Sequence, residues 1–190
     1  MSKPTVGDRR KLNILGRYLL RRPRVVAKYE YQDRTGQVDG FTDSDWAGCR
    51  RTAKSTSGGI LRIGTHYIKS WSSTQKSITL SSGEAELIAA AKTCSETIGL
   101  TQLAEDWGTG LEGRIWVDSA AAIGTVHRTG NGKPRHVRVG SLWVQEKVED
   151  GELTVNKVRG ESNPADLCTR HVAAKKINKF MEYLAFEYRD

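Results

Sequence analysis

The chain has 190 residues, 37% of them hydrophobic, and a sequence pI near 9.5. That length supports one well-buried domain and is short for two. Nine Lys and Arg against two acids, Asp8 and Glu30, fall in residues 1–30, so this segment carries +7 of the +8 net charge. A localised basic excess points to an anionic polymer as partner, or to a solvated basic helix. Cys49, Cys94 and Cys168 are odd in number and widely spaced, which fits neither a disulfide framework nor a zinc cage and implies a reducing compartment. No apolar run approaches the ~20 residues of a bilayer span, and MSKPTVGDRRK lacks the apolar stretch of a signal peptide. The expected domain is intracellular, neither secreted nor inserted in a membrane.

In chain order, residues 8–22 place Leu12, Leu15 and Leu19 on one face of a short amphipathic helix with Arg and Lys around it, ended by Pro23. VVAKYEY and QVDGFTD alternate about the DRTG turn and predict a hairpin; GGILRIG and HYIKSWS predict a second, about Thr65 and His66. From Ser81 the period becomes helical to about Trp107, then GRIWVD reads as a short strand and a helical pattern starts at Ser119. Residues 136–149 predict another helix and GELTVNKV a strand. Asn163 and Pro164 read as N-cap and first position of a final helix toward Tyr183. Strands in hairpins, then strands alternating with helices, imply a mixed sheet covered by helices on its faces, an α/β domain of three layers.

Four acids fall where this order puts functional groups. Asp43 closes one strand, Asp118 closes another, Glu86 lies one turn inside the long helix, and Asp166 lies in the first turn of the last one. Ends of strands and adjoining helix starts form the ligand crevice of open α/β sheets. Four carboxylates brought together repel one another unless divalent cations neutralise them, and all-oxygen ligation suits Mg²⁺ or Mn²⁺.

FTDSDWAG, RTAKSTSGGI, IKSWSSTQKSITLSSGEAELIAAA, IWVDSAAAI, RHVRVGSLWVQEKVEDGEL and NPADLCTRHV, in this order and spacing, resemble the RNase H domain of copia-class LTR-retrotransposon polyproteins. The likeness covers roughly residues 38–172, which gives two regions: 1–37, a basic lead-in helix and strand similar to the family's polymerase–RNase H connection, and 38–190, the RNase H domain. The resemblance implies the RNase H-like fold, a mixed five-stranded sheet with helices on both faces. It also implies hydrolysis of the RNA strand of RNA/DNA hybrids with two Mg²⁺ ions, for which Mn²⁺ can substitute. One ion activates the attacking water and the other stabilises the leaving 3′ oxygen, ~3.5–4 Å apart, giving 5′-phosphate and 3′-hydroxyl ends. Implied partners are the hybrid and the reverse transcriptase domain of the same polyprotein, in a cytoplasmic virus-like particle or the nucleus; no oligomeric state is implied.

The resemblance casts Asp43, Glu86, Asp118 and Asp166 as catalytic metal ligands. Asp43 matches the FTD aspartate, although Asp45 shares its strand face by the period of two. Glu84 competes with Glu86, but Ser81 to Glu84 forms an S-x-x-E capping box that occupies Glu84 and leaves Glu86 free. Asp118 has the alternative of capping the next helix, and Asp166 that of favouring a helix dipole. Ser44, Ser81, Ser82, Arg135 and His136 are the substrate-contact candidates; Ser81 and Ser82 also suit simple capping, and the HRTGNGKPRHVRV segment also suits plain solvation. Trp46, Trp71, Trp116 and Trp143 read as packing. The loop VRGESNP lacks the histidine that cellular RNases H carry there, and no basic handle helix is evident. A catalytically inactive hybrid-binding or scaffolding domain of the same fold is the alternative function, and retention of all four acids argues against it.

Overall fold

The computed structural model describes residues 3–128 and 138–189. Helix α1 (Val6–Arg21) begins with a reciprocal capping box, in which the Thr5 hydroxyl accepts from the Asp8 amide and the Asp8 carboxylate accepts from the Thr5 amide, and none of its residues is buried. Pro23 follows it. Strand β1 (Arg24–Ala27) then pairs antiparallel with β7 (Phe186–Arg189), joining the lead-in to the opposite end of the chain. Arg22 over the Tyr188 ring and a hydrogen bond between the Tyr18 and Tyr188 hydroxyls hold α1 to the same strand.

The expected hairpin of VVAKYEY with QVDGFTD does not form. Both edges of β2 (Gln37–Asp45) are taken, by β3 (Thr56–Ile63) on one side and β5 (Glu112–Val117) on the other. Residues 28–36 are instead anchored by side chains: Tyr29 donates to the Tyr67 carbonyl, and Gln32 bonds to Ile63 and Thr65. The second hairpin is present, with β4 (His66–Thr74) paired to β3 and Gly64 at φ +59° in its turn.

The main sheet has the order β4-β3-β2-β5-β6, with β6 spanning Leu153–Lys157. β3 and β4 run antiparallel, while β2, β5 and β6 are parallel, so the mixed five-stranded sheet is the expected one. Helices α2 (Ser82–Asp106), α3 (Ala120–Val126) and α4 (Arg138–Glu149) cover one face. Leu87, Cys94, Ile98, Ile115, Val117, Val144 and Leu153 interdigitate there. α2 lies close on β2 because Gly40 has no side chain; a Cβ there would meet Thr97 Oγ1 at 2.7 Å. The opposite face buries Phe41, Ile60, Ala165 and Leu184 under α5 (Asp166–Thr169) and α6 (Ala174–Tyr183). Trp116 stacks on Phe41 there, while Trp143 packs against the first core.

The single final helix expected from Asn163 to Tyr183 is thus two. Arg170 is extended at φ −139°, ψ 161°, which ends α5 after four residues and turns its side chain back toward the sheet. Asn163 does act at the start, although Ala165 is the formal cap. Its Oδ1 accepts from the Ala165 amide at 3.2 Å, and its Nδ2 donates to the Thr42 carbonyl at 2.8 Å. Fully buried, it fastens the α5 approach to β2. Asn163→Ala leaves the Thr42 carbonyl and Ala165 amide unpaired in the interior, and is expected to cost about 2–3 kcal/mol in urea unfolding; a loss below ~0.5 kcal/mol would remove it as a structural tie.

Candidate metal centre

Parallel pairing of β2 and β5 sets the site. Phe41 lies opposite Trp116, so two residues further along Asp43 comes level with Asp118, just past the end of β5. Glu86 rises to them from the second turn of α2. One oxygen from each of Asp43, Glu86 and Asp118 lies within 4.8 Å of the others, the only such grouping among the described residues.

Local chemistry explains why these carboxylates are free to converge. Ser81 caps α2 by accepting from the Glu84 amide, and Glu84 in turn accepts from the Leu80 amide at 2.7 Å. Glu84 is therefore occupied one turn before Glu86. Ser119, with its hydroxyl accepting from the Ala122 amide, is the cap of α3, which leaves Asp118 without that duty. Asp45 folds over the following turn against Gly48, away from the three.

Asp43 is wholly buried and Glu86 is 9% exposed. Burial raises the Asp43 carboxyl above its ordinary range, partly offset by a hydrogen bond from Thr169 and by Arg170. Burial, then the nearby Asp43 and Asp118, push Glu86 up to about 8. Asp118 is also raised by burial. Glu86 Oε2 is buried with no hydrogen-bond partner. An all-carboxylate donor set, mutually repelling and with an orphaned oxygen, fits a hard divalent cation.

Asp166 stands beside this trio and is almost completely buried. Arg170 bridges it to Asp43: one guanidinium nitrogen lies 2.6 Å from Asp43 Oδ1 and 2.9 Å from Asp166 Oδ1. The first contact is a hydrogen bond; the second is an ion pair without hydrogen-bond alignment, so Asp166 Oδ1 stays orphaned. Lys176 holds the other Asp166 oxygen. Arg170, Thr169 and Lys176 were not among the sequence candidates, although Arg170 sits four residues after Asp166, the helical ion-pair spacing.

Ser44 is 7% exposed near Glu86, its hydroxyl without a hydrogen-bond partner, while Ser81 and Ser82 are exposed at the start of α2. Arg135 and His136 lie outside the described residues. Gly160 passes close to Asp118, where a Cβ would sit 3.4 Å from Oδ2, so the loop after β6 forms one wall of the site.

A polyprotein from the Nicotiana tabacum transposon TNT 1-94, described as a retrovirus-related Pol polyprotein, is 34% identical over 142 residues, 74% of this chain and 11% of its own length. A second, from the transposon RE1 of Arabidopsis thaliana, is 29% identical over 185 residues, 95% of this chain and 12% of that polyprotein. An RNase H1 isolated from compost superposes with TM-score 0.57 at 15% identity, covering 76% of this chain and 98% of that one. The chain belongs to the retrotransposon Pol polyproteins, as a segment with the RNase H fold. It spans about a tenth of the length of the curated relatives it matches. The compost enzyme bound to an RNA/DNA hybrid also superposes, with TM-score 0.53 at 12% identity over 74% of this chain and 99% of that one. No protein-family model matches the chain. Among the described residues no helix is long and apolar enough to cross a membrane.

Proposed function

We propose that this domain hydrolyses the RNA strand of RNA/DNA hybrids in a metal-dependent reaction. The observation that carries the reading is the convergence of Asp43, Glu86 and Asp118 within 4.8 Å. Asp166 adjoins them through Arg170. These residues suit two Mg²⁺ ions, with Mn²⁺ able to substitute, and all four carboxylates are candidate ligands. Bound there, the ions supply an activated water and stabilise the charge on the leaving oxygen.

The chain's own residues supply position. Asp43 is fixed by Thr169 and Arg170 on a central strand, Asp118 by its place at the end of β5, and Glu86 by a capped helix of 25 residues, so the donors converge from rigid elements. Exposed Ser81 and Ser82 present hydroxyls at the α2 N-terminus, where backbone N–H groups favour a phosphate. Ser44, Arg135 and His136 complete the proposed substrate contacts. Recognition would rest on hybrid shape and 2′-hydroxyls more than on base sequence.

Under this reading residues 1–37 connect the domain to the reverse transcriptase of the same polyprotein and residues 38–190 are the nuclease. It would act in a cytoplasmic particle or the nucleus. The test is cleavage of a labelled RNA/DNA hybrid with Mg²⁺ or Mn²⁺, beside single-stranded RNA, duplex RNA and Asp118→Asn. Hybrid-only cleavage leaving 5′-phosphate ends, and reduced at least about 10³-fold in the variant, is expected. Salt-sensitive hybrid binding without cleavage would favour a non-catalytic binding domain instead.

A further inference from the structure

Arg170 stands out among the residues around the centre. Its charge is placed between two buried aspartates, 2.6 Å from Asp43 Oδ1 and 2.9 Å from Asp166 Oδ1, yet the side chain is 49% exposed at its solvent side. It reaches there because the backbone leaves the helical conformation at that residue, interrupting what would otherwise be one helix. Burying two carboxylates without a counter-charge is costly, so some cation must lie near them. Lys176 pairs with Asp166 and donates to the Gly160 carbonyl, and forms no ion pair with Asp43. Arg170 is the one cation found between the two aspartates among the described residues.

We propose that Arg170 is an internal counter-ion that holds Asp43 and Asp166 together before metal arrives and is displaced when a divalent cation takes its place. The inference rests on the metal-dependent reading above and deepens it. A guanidinium and a divalent ion cannot both sit against Asp43 Oδ1 without repelling one another at short range. Arg170 therefore sets the cation concentration at which the centre fills, and its exposed outer side gives it a path into solvent. Orphaned Asp166 Oδ1, near the guanidinium but not aligned to it, marks a contact made by charge alone and easily exchanged.

The test is direct binding of Mn²⁺ to the full chain after chelator treatment. Free Mn²⁺ is followed by electron paramagnetic resonance, with no nucleic acid present, for the wild type, Arg170→Ala, Arg170→Gln and Glu86→Gln. Removing the competitor should tighten Mn²⁺ binding by at least about tenfold in the two Arg170 variants. Their thermal midpoint should fall without Mn²⁺ and recover with it, a larger gain than in the wild type. Should Arg170→Ala fail to fold without metal, Arg170→Gln, which keeps the length and loses the charge, carries the comparison. Glu86-dependent Mn²⁺ binding of equal or lower affinity in folded Arg170 variants would overturn the counter-ion role and leave the metal-dependent reading standing. Absence of Glu86-dependent binding in every protein would overturn both.

Discussion

Glu86→Gln is expected to reduce hybrid cleavage at least about 10³-fold and, in the same protein, to raise the thermal midpoint measured in chelator. The two effects have opposite signs because the carboxylate is suited to a cation and poorly suited to its surroundings without one. Glu86 is 9% exposed, Oε2 has no hydrogen-bond partner, and burial together with Asp43 and Asp118 pushes its pKa up to about 8. Glutamine keeps the side-chain volume but brings no charge to the repelling cluster. The cation-free gain should be on the order of 1–3 kcal/mol near pH 8, where Glu86 is at the edge of ionisation. A residue retained for structure would behave differently, since its loss would lower stability and activity together. Paired measurement of cleavage rate with Mg²⁺ and unfolding midpoint with chelator decides the matter. A fall in both would remove Glu86 from the metal centre.

How far the sequence could lead to this site depended on the range of the interactions involved. Glu84 is separable from Glu86 because S-x-x-E is a local signal, whereas the capping alternative for Asp118 is removed only by the structure, where Ser119 caps α3. Asp43 and Asp45 share a strand parity, so periodicity leaves them level; the FTD resemblance favours Asp43, and the buried position of one and the turn contact of the other separate them in the structure. The pairing of β1 with β7 joins Arg24 to Arg189, a separation that leaves no local pattern, so alternation alone points VVAKYEY to its sequence neighbour. Neighbouring alternation shows that a strand wants a partner, not which edge is vacant. The break at Arg170 was hidden in a similar way. Asp166 to Tyr183 keeps a plausible helical pattern, and the pull of Asp43 on Arg170 comes from a strand far away in sequence. Thr169, His171 and Val172 are poor helix formers and were the available hint. The tertiary contact that gives Arg170 its role is therefore one that no local pattern carries.

In the absence of divalent cations, stability should fall as pH rises from about 5 to about 8, and the stabilisation given by Mg²⁺ should grow over the same interval. Glu86 has an ordinary value of 4.5 and a folded-state value of about 8. Below 4.5 both folded and unfolded chains hold the proton, and the contribution is fully present. Between the two values the folded protein keeps a proton that the unfolded chain has released, and each pH unit costs the folded state up to about 1.4 kcal/mol. Once pH passes the folded value, the loss is complete. Asp43 and Asp118 are raised by burial as well, so they act in the same direction in the acidic part of the interval. Arg170 opposes the shift at both aspartates, which limits their share and leaves Glu86 as the main contributor. A divalent cation binds the ionised carboxylates, so its stabilisation is smallest where Glu86 is protonated and largest once it has ionised. Thermal midpoints with chelator and with Mg²⁺, taken at several pH values for the wild type and Glu86→Gln, measure this. The variant should show a flatter chelator curve. A wild-type midpoint in chelator that is constant or rising toward pH 8, with a Mg²⁺ gain independent of pH, would mean that these carboxylates do not share a site in solution.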